Sequence, residues 1–98
     1  MSVDIPKDKI EEFCQRWKIT EFALFGSVIR DDFRPDSDID VLVTFEPSAG
    51  HTLFDLVHME NELKDMFGRH VDLVERGGLR NPFRRREILR TMEVIYAS

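Results

Sequence analysis

Two aspartates, Asp38 and Asp40, stand one residue apart at the start of an alternating apolar stretch. Successive side chains of a β-strand point to opposite faces of the sheet, so residues two apart share a face. We therefore expect both carboxylates to project from one face of a strand over Asp38–Phe45. Carboxylate oxygens are the ligands that Mg²⁺ prefers, commonly together with substrate phosphates and water. The pair predicts a magnesium site, although such a pair on its own is often only the solvated end of a strand.

A Gly-Ser step, Gly26-Ser27, follows a short apolar segment upstream of the aspartates. Glycine lets the backbone approach a phosphate closely, and the next N–H and the serine hydroxyl can both donate to it. We expect Gly26 and Ser27 to hold the phosphates of a nucleotide. A Gly-Ser step after a strand is usually no more than a turn, so its combination with the aspartate pair carries the interpretation.

A third carboxylate, Asp72, lies on a later segment that also alternates, His70–Glu75. A helix between two strands commonly returns the chain beside the strand it left, which would bring Asp72 to the aspartate pair. Three carboxylates can hold two metal ions, which activate an attacking hydroxyl and stabilise the charge of a phosphoryl group. Asp72 could also accept the proton of the incoming hydroxyl.

The elements that must position these residues follow from the periodicity of apolar side chains. It predicts helices over Pro6–Lys18, Thr52–Phe67 and Arg84–Met92, and strands over Glu21–Phe25, Asp38–Phe45 and His70–Glu75. The segment Glu93–Ala97 is either an edge strand or more helix. The order predicts an α+β fold in which helices pack on a small mixed sheet.

Size and composition limit the classes to which the protein can belong. The 98 residues are enough for about one small domain, so we expect residues 1–98 to form a single domain with a single core. No apolar run is long enough to span a bilayer and no signal-peptide pattern begins the chain, so a cytoplasmic protein without a membrane partner is expected. The net charge of -5 argues against nucleic acid as the partner. The lone Cys14 excludes an internal disulfide and is expected in the core.

These residues resemble a known family. The G-S-x10-D-x-D motif, with ten residues between Ser27 and Asp38, is similar to that of the minimal nucleotidyltransferases of the DNA polymerase beta superfamily. The segments FALFGSVIRDDFRPDSDIDVLVTF and VDLVERGGLRNPFRRREIL resemble the MNT antitoxins of HEPN/MNT toxin–antitoxin pairs across nearly the whole chain. The resemblance implies a polymerase beta-like fold, nucleotide binding by Gly26 and Ser27, and metal binding and catalysis by Asp38, Asp40 and Asp72.

The same resemblance implies a function. Relatives in this family transfer AMP from ATP, with Mg²⁺, to a tyrosine of a HEPN ribonuclease toxin and silence it. A HEPN toxin as partner in a hetero-oligomer would also supply the acceptor, for which a chain this short has no second domain. The alternatives are a catalytically silent antitoxin that blocks its toxin by occlusion, and a nucleotide-sensing or DNA-binding regulator.

Several other residues near these motifs have ordinary explanations. Asp31, Asp32 and Asp36 are expected to be solvated loop residues, and Arg30 is as suited to the surface as to a phosphate. The arginines between Arg76 and Arg90 make the C-terminal part of the chain basic. This pattern fits a solvated helix with some ion pairs. It also fits contact with a triphosphate or with an acidic partner surface, and RNA is the third alternative. The apolar surface near Phe83 and Tyr96 is a candidate interface.

Overall fold

The computed structural model describes residues 5–29 and 37–98. Three helices and four strands lie in these two ranges. The helices are α1 (Lys7–Arg16), α2 (Leu53–Phe67) and α3 (Pro82–Thr91), and the strands are β1 (Ile19–Phe25), β2 (Ile39–Phe45), β3 (Val71–Glu75) and β4 (Glu93–Ala97). A 3-10 turn over Gly26–Ile29 follows β1, and a second over Arg76–Gly78 follows β3.

The four strands form one mixed sheet in the order β3-β2-β1-β4. The strands β1 and β2 are antiparallel, as are β1 and β4, whereas β2 and β3 are parallel. A parallel pair needs a crossover connection, which α2 provides. The expected mixed sheet and the expected return of the chain beside β2 are therefore both present.

Each face of the sheet packs against different helices, because the side chains of each strand alternate between the faces. On one face, Phe22, Val41 and Val43 form a buried cluster with residues of α1 and α2, including Phe13 and Leu63. On the other face, a smaller cluster joins the sheet to α3 and the segment before it; its members are Ala23, Phe25, Leu42, Leu79 and Ile88. The face that carries Leu42 is also the face of Asp40, two residues earlier on β2.

The predicted helices and strands match the observed ones to within one or two residues at most ends. The undecided segment Glu93–Ala97 is a strand, paired with β1 at the edge of the sheet. Cys14 is fully buried, as expected, and burial raises the pKa of its thiol to about 12. The thiol is therefore neutral at physiological pH and inert as a nucleophile.

Two features of the surface bear on earlier expectations. Phe83 is 82% exposed, whereas Tyr96 is half-buried and packs against the cluster on the α1 and α2 face. Of these two residues, Phe83 is therefore the one available for contact. Within the described ranges, no helix combines the length and apolar character needed to cross a bilayer.

Candidate active site

The pairing of β2 with β3 places Asp40 and Asp72 at partner positions. Asp40 lies opposite Asp72 in the parallel register, and Val41 lies opposite Leu73. Partner residues on neighbouring strands point to the same face, with backbones about 4.8 Å apart. Asp40 is half-buried and Asp72 is exposed. The structure therefore places these two predicted site residues side by side, although 32 positions separate them in the sequence.

Gly26 lies against the same carboxylate. It follows Phe25, the last residue of β1, which is paired with Asp40. Its φ of 75° lies in the left-handed region that favours glycine, and a Cβ placed on it would overlap the Oδ2 atom of Asp40. Any other residue would thus clash with the aspartate at the centre of the site. Ser27 is the next residue of the 3-10 turn and is half-buried.

Asp38 has a neighbour that the sequence interpretation did not include. The Oδ1 atom of Asp38 is 3.5 Å from the Nδ1 atom of His70, and both side chains are about half exposed. The His70 carbonyl accepts a 3.0 Å hydrogen bond from the N–H of Ile39. His70 directly precedes β3 and lies two residues before Asp72, just as Asp38 directly precedes β2 and lies two residues before Asp40. This repeated spacing, read with the parallel register, is the signal that would have identified His70.

The carboxylates of the described residues are not grouped into a metal-binding cluster. Across residues 5–29 and 37–98, no three His, Cys, Asp or Glu side chains are grouped so that they could hold a metal ion. The donor chemistry nevertheless suits a hard cation, because each carboxylate offers oxygen ligands and two of them are partners in the register. Mg²⁺ binding by Asp38, Asp40 and Asp72 therefore stays a prediction.

A cleft opens beside Gly26, between the 3-10 turn and α3. Its volume is about 360 Å³, within the range of small-ligand sites. Phe25, Ile29 and Ile88 supply apolar walls, and Arg84 lines it from α3. The cleft thus joins the predicted phosphate-binding turn to one arginine of the basic tail.

Two other arginines of that tail pair with glutamates of the chain. Arg76 donates to Glu21 on β1 at 3.3 Å, and Arg90 makes two 2.9 Å hydrogen bonds to Glu87. Both are ion-paired within the chain, as the solvated-helix interpretation expects. Arg30, Asp31, Asp32 and Asp36 lie outside the described residues, so the expectations for them stay as they were.

This fold and this arrangement of residues define a class of protein. A family model described as the nucleotidyltransferase domain matches residues 7–95. The chain belongs to this family of nucleotidyltransferases. The resemblance inferred from the G-S-x10-D-x-D motif and the fold expected from it are confirmed.

Individual relatives carry a more specific name. The protein adenylyltransferase MntA of Thermococcus cleftensis is 34% identical over 86 residues, which are 88% of this chain and 82% of that protein. A candidate protein adenylyltransferase of Methanocaldococcus jannaschii is 35% identical over 75 residues, covering 76% of this chain and 74% of the relative. The homologues of this nucleotidyltransferase are thus named as enzymes that modify proteins with AMP.

Solved structures agree with the fold. A candidate minimal nucleotidyltransferase, 36% identical, has a TM-score of 0.74 over 89% of this chain and 86% of that one. A toxin–antitoxin crystallised with AMP-PNP has a TM-score of 0.77 at 18% identity, covering 96% of this chain and 75% of that one. A tri-AMPylated Shewanella oneidensis HEPN toxin in complex with an MNT antitoxin has a TM-score of 0.68 at 17% identity, over 94% and 70%. At these lower identities the likeness establishes the fold.

Proposed function

We propose that this nucleotidyltransferase transfers AMP from ATP to a tyrosine hydroxyl of a HEPN ribonuclease toxin and thereby neutralises it as its antitoxin. The proposal is supported by homologues named protein adenylyltransferases and by a fold shared with antitoxins bound to HEPN toxins. The observation that carries it is local: Asp72 is the register partner of Asp40, and Gly26 lies against Asp40.

In this proposal the tyrosine oxygen attacks the α-phosphorus of ATP. A new P–O bond forms, the bond between the α-phosphorus and the bridging oxygen breaks, and pyrophosphate leaves. Asp72, which is exposed to an incoming group, accepts the phenolic proton. Gly26 and Ser27 hold the triphosphate by backbone N–H groups and the serine hydroxyl. Holding the hydroxyl and the phosphate in line supplies the positioning on which phosphoryl-type transfer chiefly depends.

Mg²⁺ would be held by Asp38, Asp40 and Asp72, as one or two ions. When bound, it neutralises charge on the phosphates and lowers the pKa of the attacking hydroxyl. Asp40 and Asp72, as register partners on neighbouring strands, would supply two of these ligands.

The first test replaces Asp38 and Asp40 by asparagine in one chain. Asparagine preserves the size of each side chain and removes the charge that a cation needs. Because metal-assisted charge stabilisation is worth several kcal/mol, we expect AMP transfer to a purified HEPN toxin to fall by roughly a thousandfold or more. Transfer is measured with radiolabelled ATP, and neutralisation by growth of cells that express the toxin.

Asp65→Asn is the matched control, because Asp65 is an exposed aspartate on α2, across the sheet from the site. It should retain full transfer and full neutralisation. A double variant that still modified the toxin at the wild-type rate would contradict the catalytic role of Asp38 and Asp40.

A second candidate is an antitoxin that blocks its toxin by occlusion alone. It is favoured by the solved complexes of toxins with antitoxins that share this fold, because a stable complex can block a toxin without catalysis. The same variants separate the two functions, because an occluding antitoxin carrying both Asn substitutions would still neutralise the toxin and leave its mass unchanged.

A further inference from the structure

Arg84 differs from the other arginines of the tail in where it lies. It lines the cleft that begins at Gly26, whereas Arg76 and Arg90 are ion-paired to Glu21 and Glu87. Among the described residues that line the cleft, Arg84 is the only cation. The one carboxylate there, Glu87, is held by Arg90 through two 2.9 Å hydrogen bonds, which reduces its repulsion of an anion.

The order of the strands places the cleft and Asp72 on opposite sides of Asp40. Asp72 on β3, Asp40 on β2 and the turn that follows β1 succeed one another across the sheet. In the proposed function the acceptor hydroxyl approaches from the side of Asp72. Because the attacking and leaving oxygens lie roughly in line through phosphorus, the leaving pyrophosphate must point the opposite way. That direction leads past Asp40 to Gly26 and the cleft.

The walls of the cleft suit an arginine that binds phosphate. Phe25, Ile29 and Ile88 give the cleft apolar walls, whereas Arg84 is exposed, so its charge is accessible to an anion that enters from solvent. The planar guanidinium can donate two parallel hydrogen bonds to one phosphate group, which a lysine cannot do.

We infer that the cleft between the 3-10 turn and α3 is the site of the leaving pyrophosphate, and that Arg84 binds its terminal phosphate. The inference rests on the proposed nucleotidyl transfer and adds to it a residue on α3. It assigns Arg84 to binding β- and γ-phosphates, with no contact to the nucleoside. The arginine then holds the triphosphate in the in-line orientation and stabilises the charge that develops on the leaving group.

The test compares three ligands by isothermal titration calorimetry with Mg²⁺: ATP, inorganic tripolyphosphate, and AMP, which lacks the β- and γ-phosphates. Arg84→Ala should weaken ATP and tripolyphosphate by roughly 10- to 100-fold, as expected for a lost charge-assisted hydrogen bond, and leave AMP unchanged. Arg84→Lys should give an intermediate loss. Arg86→Ala, an exposed arginine of α3 that does not line the cleft, is the control and should bind all three ligands like wild type.

Each other outcome has a defined meaning. Equal ATP affinity in wild type and Arg84→Ala would overturn the inference and leave the proposed function intact. An equal loss of ATP and AMP would assign the cleft to the nucleoside and would also overturn it. A wild-type chain that bound neither ATP nor tripolyphosphate would count against the proposed function itself. Circular dichroism confirms folding, and Arg84→Gln replaces any Ala variant that fails to fold.

Discussion

Two features of the site require a glycine at position 26: the backbone conformation and the close contact with Asp40. The backbone of Gly26 adopts a left-handed conformation, with a φ of 75°, and its Cα lies against the Asp40 carboxylate, where a Cβ would overlap the Oδ2 atom. The types and spacing of Gly26, Asp38 and Asp40 predicted these residues, because backbone approach to phosphate and paired carboxylates are local properties of the sequence. His70 and Arg84 could not be predicted in this way. They reach the site through the β2–β3 register and the packing of α3, both of which depend on distant parts of the chain.

Replacing Gly26 by alanine should therefore lower the free energy of unfolding by more than the backbone strain alone. A residue with a Cβ pays about 1 kcal/mol or more in the left-handed region. The new Cβ must also displace Asp40, so we expect Gly26→Ala to lose stability and, in addition, nucleotide binding. Thermal unfolding and titration with ATP measure the two effects.

Gly68 offers a matched control, since it has a φ of 70° and no atom within 4 Å of the position of a Cβ. Gly68→Ala should lose the same stability from backbone strain and keep full affinity for ATP. If both variants bound ATP like wild type, the contact between Gly26 and Asp40 would have no role in the site.

At the scale of elements, α2 sets the position of Asp72, because it is the crossover that returns the chain from β2 to β3. Its ends are well defined. Thr52 and Asp55 form a reciprocal capping box, and Gly68 closes the other end with its N–H bonded to the Lys64 carbonyl. The predicted helix Thr52–Phe67 has nearly the same ends, because the periodicity and the capping residues are both local features of the sequence. The sequence left Glu93–Ala97 undecided, since only pairing with the distant β1 makes this short segment a strand.

The cap should be measurable by substitution. The Thr52 hydroxyl accepts a hydrogen bond from the Asp55 N–H, and the Asp55 carboxylate accepts one from the Thr52 N–H. Thr52→Ala removes the first of these and should cost about 1 kcal/mol in the free energy of unfolding. Urea denaturation provides the measurement, and an unchanged midpoint would mean that the capping box contributes nothing.

The same cap predicts a pH dependence. The backbone hydrogen bond from Thr52 holds the pKa of Asp55 below its usual value. The stabilising contribution is therefore present above the unfolded pKa, about 3.9, and is lost as the pH falls through the lower folded value. Asp55→Asn keeps an acceptor oxygen but not the charge. It should be less stable than wild type at pH 7, and the difference should shrink below about pH 4; a constant difference would contradict this origin.

In the whole molecule, one face of the sheet carries most of the core and the other carries the candidate site. In the described ranges, one face packs against α1 and α2 and carries most of the core, whereas the other packs against α3 and carries Asp38 and Asp72, which are exposed. The composition predicted a small acidic protein with one core, but not which face would stay open. An exposed Asp72 beside a half-buried Asp40 leaves room for a hydroxyl delivered by a second protein. This is why we propose that the acceptor belongs to the partner.

The most direct test of AMP transfer is intact-mass spectrometry of a HEPN toxin after incubation with this protein, ATP and Mg²⁺. The proposed function predicts that the toxin gains the mass of one or more AMP groups. It also predicts that peptide mapping places each group on a tyrosine, and that the Asp38→Asn/Asp40→Asn chain adds none. A toxin that is neutralised in a stable complex with its mass unchanged would contradict the account.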